Sequence, residues 1–164
     1  MKKIFAIILA ICTISSMTVF AHAADDAQTA NNNYDEIICF NDGSYLLTTV
    51  AVENTNDDIA LTSTTYTKTG VKTISHYSSN DELLWQYKLT GKFSVNEGIS
   101  VTCIDSSYSQ TIYSSKWHFS DGNAYIENNA AHGQGTFKEK ILFITTETKV
   151  IDATIYCDIY GNIS

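Results

Sequence analysis

The 164-residue sequence contains no proline and no arginine, and its charge is one-sided: 10 lysines stand against 18 acidic residues, for a formal charge of −8. Without arginine the chain lacks the planar guanidinium fork suited to bidentate phosphate recognition. Its acidity repels nucleic acid and anionic lipid alike. Nucleic-acid binding is excluded on both grounds. The absence of proline removes any proline-containing sorting motif near the C-terminus. Beyond the N-terminal segment no apolar run is long enough to span a bilayer. Helical periodicity of useful length is missing too.

What is present begins with the export signal MKKIFAIILAICTISSMTVFAHAADD. Lys2 and Lys3 form a basic start, Ile4 to Phe20 is mainly apolar, and Ala21-His22-Ala23 is a small-x-small cleavage site followed by polar residues. That order predicts cleavage after Ala23 rather than a retained anchor. Cys12 closes the stretch Leu9-Ala10-Ile11-Cys12, but bulky Ile11 stands where a lipid-attachment box needs a small residue, so no lipidation is expected. All 18 acidic residues lie beyond Ala23 while Lys2 and Lys3 lie before it, which makes the mature chain more acidic still. The expected organisation is a signal peptide over 1–23, a flexible acidic leader over 24–36 and one β-sandwich domain over 37–164, long enough for a real core. The product is expected to be secreted (extracellular) and released or held at the envelope noncovalently, with no membrane insertion after signal cleavage.

From Ile37 onward β-branched and aromatic residues alternate with polar ones, interrupted by Gly, Asn, Asp and Ser. The clearest run is Leu83, Trp85, Tyr87, Leu89, Gly91, Phe93 and Val95, with mostly polar residues between them. Successive side chains of a strand point to opposite faces, so this run predicts one apolar and one wet face. Ile99, Val101 and Cys103 continue the pattern, as do Ile151, Ala153, Ile155, Cys157 and Ile159. Tyr113, Trp117 and Phe119 share a parity on the strand between. Turns are expected at Asn41 to Ser44, before a strand Tyr45 to Glu53, and at Ser78 to Asp81, after the Thr-rich segment Leu61 to Tyr77. Hairpins are expected at Asn96-Glu97-Gly98 and at Ser120-Asp121-Gly122-Asn123. The fold class is therefore all-β: a single antiparallel β-sandwich of about seven or eight strands.

Lys138 to Thr148 (KEKILFITTET) breaks the regular parity, with Ile141, Leu142, Phe143 and Ile144 standing together. One reading is a bulged strand edge that feeds the core, and this is the expectation. The other is an exposed apolar hairpin tip, a possible interaction surface.

Three cysteines lie beyond Ala23, and export permits disulfides. Cys103 and Cys157 fall on the inward parity of strong strands, so they are the expected pair. Such a bridge closes a loop of more than fifty residues and would contribute roughly 4 kcal/mol before strain. Cys39, at the edge of the domain, is left over as a buried thiol or an intermolecular handle. The order cysteine, tryptophan, cysteine invites comparison with an immunoglobulin domain, but the topology does not match. About three strands should precede Cys103, whereas an immunoglobulin domain carries its first cysteine on its second strand. Only seven residues follow Cys157, and Tyr156 is one residue before it where a tyrosine corner needs two. The sandwich is immunoglobulin-like in its physics and not in its topology.

The run VKTISHYSSNDELLWQYKLTGKFSVNEGISVTC, together with DGSY near the start, resembles a family of small secreted proteins of unknown function from Gram-positive, clostridia-like bacteria. The resemblance rests on Asp42 to Tyr45, Trp85, Thr90, Gly91, Phe93, Cys103 and Cys157, and spans most of the mature chain. It implies secretion and fold, and no activity. Cys39 lies outside its pattern.

Chemistry-bearing motifs are scarce. His76, His118 and His132 have no second histidine or cysteine at metal-ligand spacing, so no metal and no cofactor is expected. His118 takes the outward parity beside Trp117. His132-Gly-Gln-Gly135 reads as a bend within a strand region, or as a flexible loop able to approach a ligand. No Gly-x-Ser-x-Gly elbow and no phosphate loop occurs, and no aromatic-flanked acidic motif singles out a glycosidase pair. Asn54 to Asp58 (NTNDD) lacks the spaced ligands of a calcium loop. No catalytic residue is nominated. The ten tyrosines, with Ser, Thr and Asn on the strands, suit surface recognition. The sequence therefore points to a noncatalytic binding module whose partner is a protein or glycan at the cell surface. The alternatives are a hydrolase acting on envelope glycan or peptide, and a secreted toxin or antagonist, which the acidity and the lack of an amphipathic helix disfavour.

Overall fold

A computed structural model of the protein describes residues 33–53 and 65–164. The segment read as a signal peptide, most of that read as an acidic leader, the NTNDD segment and the start of the Thr-rich segment lie outside the described residues. Eight strands follow one another: β1 (Asn33–Cys39), β2 (Tyr45–Glu53), β3 (Thr65–Tyr77), β4 (Leu83–Asn96), β5 (Ser100–Ile112), β6 (Trp117–Glu127), β7 (Ala130–Ile141) and β8 (Ile144–Ile155). β1 begins inside the segment assigned to the leader, pairing Asn33 with Val50. Every pairing joins sequence neighbours in antiparallel fashion, giving a five-stranded sheet β1-β2-β3-β4-β5 and a three-stranded sheet β6-β7-β8. The molecule is a single meander folded over between β5 and β6. Four strands precede Cys103, and no Greek-key crossover occurs among the described strands, so the topology is not that of an immunoglobulin domain.

The alternation read on β4 is realised in the structure. Trp85, Tyr87, Leu89, Phe93 and Val95 are all fully buried, while Lys88 and Lys92 face water. Three contacts join the two sheets across this strand and its neighbour. The Trp85 ring stacks on Phe137 of β7 with centroids 3.9 Å apart and planes 7° apart. Tyr87 Oη donates toward the carbonyls of Asn123 and Gln134 at 3.3 and 3.2 Å. Lys72 Nζ reaches across from β3 to the Thr154 carbonyl at 3.3 Å. Ile151, Ala153, Ile155 and Cys157 complete the core from the opposite side.

Several sequence expectations change for identifiable reasons. Ser120 to Asn123 is no hairpin, because β6 runs through it with a bulge between Phe119 and Asp121. Asp121 Oδ1 accepts from the Gly122 amide at 2.8 Å, and a Cβ at Gly122 would lie 2.5 Å from Phe119 Cζ. The glycine thus serves close packing at a bulge. The reversal falls instead on Asn128-Asn129, both at positive φ (48° and 63°), the geometry of a two-residue primed turn that asparagine tolerates. Tyr113 lies not on β6 but in the connection between the sheets, where its amide donates to the Leu84 carbonyl, and its ring is exposed. Ile99 belongs to the β4–β5 turn and is exposed, although Cys103 on the same parity is buried.

His132 to Gly135 neither bends nor opens to a ligand. It is straight strand, paired with Ala153 and Asp152 on one side and Asn123 and Ala124 on the other. A Cβ at Gly133 would lie 2.5 Å from Tyr87 Oη and 2.8 Å from Leu89 Cδ1. At Gly135 it would meet the Tyr87 ring at 3.1 Å. The glycines let β4 side chains lie directly against the backbone of β7. Burial holds the Tyr87 phenol protonated, with its pKa pushed up to about 12.

Candidate functional site

Ile141 to Ile144 depart most from expectation. The core reading fails, since these residues form the exposed tip of the β7–β8 hairpin, with Ile141 47%, Leu142 85%, Phe143 100% and Ile144 69% exposed. Ile141 pairs with Ile144, leaving Leu142 and Phe143 as the two turn residues. The parity slip seen in the sequence corresponds to a bulge between Glu139 and Lys140.

Leu142 and Phe143 both take positive φ, 49° and 71°. A two-residue primed turn demands this at both positions and is ordinarily built from Asn, Asp or Gly. A bulky side chain there is strained, by roughly 1–3 kcal/mol per residue held in a sparsely populated region. Leu142 and Phe143 gain almost no burial in compensation. The sequence therefore carries apolar side chains where neither local propensity nor packing within the chain favours them.

The base of the hairpin is polar and firmly held. Thr146 Oγ1 donates to a Glu139 carboxylate oxygen at 2.8 Å. The Lys140 amide donates to the carbonyl of Lys116, in the connection between sheets, at 2.9 Å. Lys116 and Lys140 are exposed beside the tip, and Lys138 is half-buried one pleat further down. Lys149 is differently engaged: its Nζ lies 2.7 Å from Glu147 Oε1 and 3.2 Å from the centre of the Phe40 ring.

The two cysteines expected to pair both lie in the core cluster, one contributed by β5 and the other by the segment after β8. They stand as thiols, so the bridge is not formed in the structure. Cys103 Sγ points at the Asp105 carbonyl and Cys157 Sγ at the Asp158 carbonyl, each at 3.5 Å. Burial raises both thiol pKa values, that of Cys157 to about 11. Cys39 is exposed on the edge strand β1 rather than buried.

Sequence reasoning missed His76. It is 1% exposed and sits among Phe40, Trp85 and Trp117, with ring centroids at 6.0, 5.0 and 5.1 Å. Neither of its ring nitrogens has a hydrogen-bond partner, and neither does Trp85 Nε1. Loss of hydration, with a smaller contribution from the Lys149 charge, lowers the His76 pKa to about 4. The signal in the sequence was its position, since Ser75-His76-Tyr77 alternates in step with Ile74 and the Trp85 strand. His118 is exposed, as its parity implied. His132 Nδ1 lies 3.1 Å from Thr154 Oγ1 and Nε2 lies 3.2 Å from the Glu127 carbonyl, so its ring tethers β7 to its neighbours. Among the described residues, no group of three or more His, Cys, Asp or Glu side chains could hold a metal ion. No protein-family model, curated protein or solved structure matches this chain.

Proposed function

We propose that the protein is a secreted, noncatalytic β-sandwich that docks at the cell surface through the β7–β8 tip. The observation that carries this reading is Phe143, fully exposed and next to an 85%-exposed Leu142 in a turn whose backbone disfavours both. Large exposed apolar residues placed contiguously mark contact sites. The signal-peptide pattern at residues 1–23 and the resemblance to small secreted proteins support an extracellular location. The experiment is a binding assay of purified protein on intact cells. The Leu142→Ser/Phe143→Ser double variant should keep its fold and lose most of its binding. Equal binding by both proteins would remove the tip from the function.

The same reading includes the Cys103–Cys157 bridge, supported by the shared core position of the two thiols. Its formation would oxidise two thiols, with two protons and two electrons passing to an oxidised disulfide donor by exchange. The raised thiol pKa values slow attack once the sulfurs are buried, so the exchange would belong to folding. Peptide mapping without reduction should join the two cysteine-bearing peptides and leave Cys39 alkylatable. A link from Cys39 to either one would refute the pairing.

A further inference from the structure

Resting on the reading of the tip as a docking surface, and departing from the expectation of no membrane insertion, we infer that its partner is the anionic lipid surface of a membrane, with Leu142 and Phe143 dipping into the boundary between headgroups and acyl chains. The chemistry of the tip supports lipid over glycan. Its four outermost side chains, Ile141 to Ile144, are all hydrocarbon and offer a sugar no hydrogen bond. It is the two-residue turn that closes a hairpin, not the face of a sheet. An apolar point of this kind enters a fluid interface without needing a matched cavity in a partner.

Charge supports the same assignment. The chain beyond Ala23 is strongly acidic, with all 18 acidic residues and all lysines but Lys2 and Lys3, which argues against lipid at long range. Electrostatic attraction at a membrane, however, falls off within a Debye length, about 8 Å at physiological ionic strength. Close to a docked tip the local balance matters, and on the β7–β8 hairpin from Lys138 to Lys149, with the adjoining Lys116, it is positive, four lysines against two glutamates. Lys140 flanks Ile141 directly, Lys116 is tied to the Lys140 amide, and Lys138 follows on the same strand. The acids of that stretch, Glu139 and Glu147, keep their charges, but Glu147 is paired with Lys149 at 2.7 Å, so Lys116, Lys138 and Lys140 outnumber Glu139. A lysine stem can lie along an apolar surface while its ammonium reaches phosphate, so this collar is placed to snorkel around an inserted tip. Insertion would also bury the Leu142 and Phe143 side chains that the fold leaves in water.

The test is co-sedimentation of the full chain, as secreted, with phosphatidylglycerol-containing vesicles and with pure phosphatidylcholine vesicles. Binding to the anionic vesicles should exceed binding to the neutral ones and weaken with salt. Leu142→Ser/Phe143→Ser should lower affinity by at least about tenfold. Lys116→Gln and Lys140→Gln should each lower it about fivefold on anionic vesicles and leave the neutral ones unchanged. A second variant, Leu142→Asn/Phe143→Gly, supplies the preferred turn residues, so its loss of vesicle binding could not be ascribed to unfolding. With Phe143→Trp, emission should shift to the blue on vesicle addition and be quenched by brominated acyl chains. Absence of vesicle binding alongside tip-dependent binding to cells would overturn the lipid assignment in favour of a surface protein, while leaving the docking role intact. Tip-dependent self-association without vesicle binding would overturn it in favour of a second copy. Binding to neither vesicles nor cells would overturn the docking role itself.

Discussion

Acid should weaken this protein through a single side chain. His76 is buried among Phe40, Trp85 and Trp117 with both ring nitrogens unpartnered, and its pKa falls from the usual 6.5 to about 4. Burial is the main cause, Lys149 adds to it, and Glu147, Asp42 and Glu139 oppose it. Above about pH 6.5 neither the folded nor the unfolded chain protonates this ring, so it has no effect on stability. As pH falls from 6.5 toward 4, the unfolded chain binds a proton that the folded chain resists, and stability declines. Below about 4 both states bind it and the loss is complete. A shift of this size corresponds to about 3 kcal/mol, a large share of the roughly 5–15 kcal/mol that stabilises an ordinary domain. Urea unfolding followed by tryptophan fluorescence at several values between pH 7 and pH 4 measures it, because Trp85 and Trp117 lie against the ring. Asp42 and Asp158 are held below their usual 3.8 by hydrogen bonds to Ser44 and Asn162. Their stabilisation, present at higher pH, is lost only below that value, outside the histidine window. The control is His76→Phe, which keeps a ring and removes the proton site. Its stability should change far less between pH 6.5 and 4 than that of the wild type. Parallel loss of stability in both proteins would refute the assignment to His76.

Three further outcomes follow from the packing. Trp85→Ala should destabilise by about 3–5 kcal/mol in chemical denaturation, because it removes a fully buried ring stacked on Phe137. Gly133→Ala should cost about 1–3 kcal/mol, since the added methyl would meet Tyr87 Oη and Leu89; an unchanged unfolding midpoint would show that β4 and β7 are not so closely apposed. Leu142→Asn/Phe143→Gly should raise stability by about 1 kcal/mol or more by relieving two unfavourable backbone conformations, and thermal unfolding would detect it.

The β4 strand was legible from one line of sequence because its alternation is unbroken and one face is wholly apolar. The same holds for Ile151 to Cys157, and it is why the sandwich class could be read directly. Turns whose residues have strong backbone preferences, Asn41 to Ser44 and Ser78 to Asp81, were legible for the same local reason. Asp121-Gly122 was misleading because a glycine can serve a bulge as well as a turn, and only the nearness of Phe119 distinguishes the two. Gly133 and Gly135 resembled a flexible loop until Tyr87, more than forty residues away in sequence, was placed against them. The decisive example is Ile141 to Ile144. Hydrophobicity marks residues that gain by leaving water, and in most chains that means the chain's own core. Whether a core is within reach depends on where the hairpin ends, and here the turn between β7 and β8 ends in solvent. Local sequence set the strands and their faces; the tertiary arrangement alone decided that this apolar group would meet solvent, because burial depends on what the rest of the chain brings within contact distance.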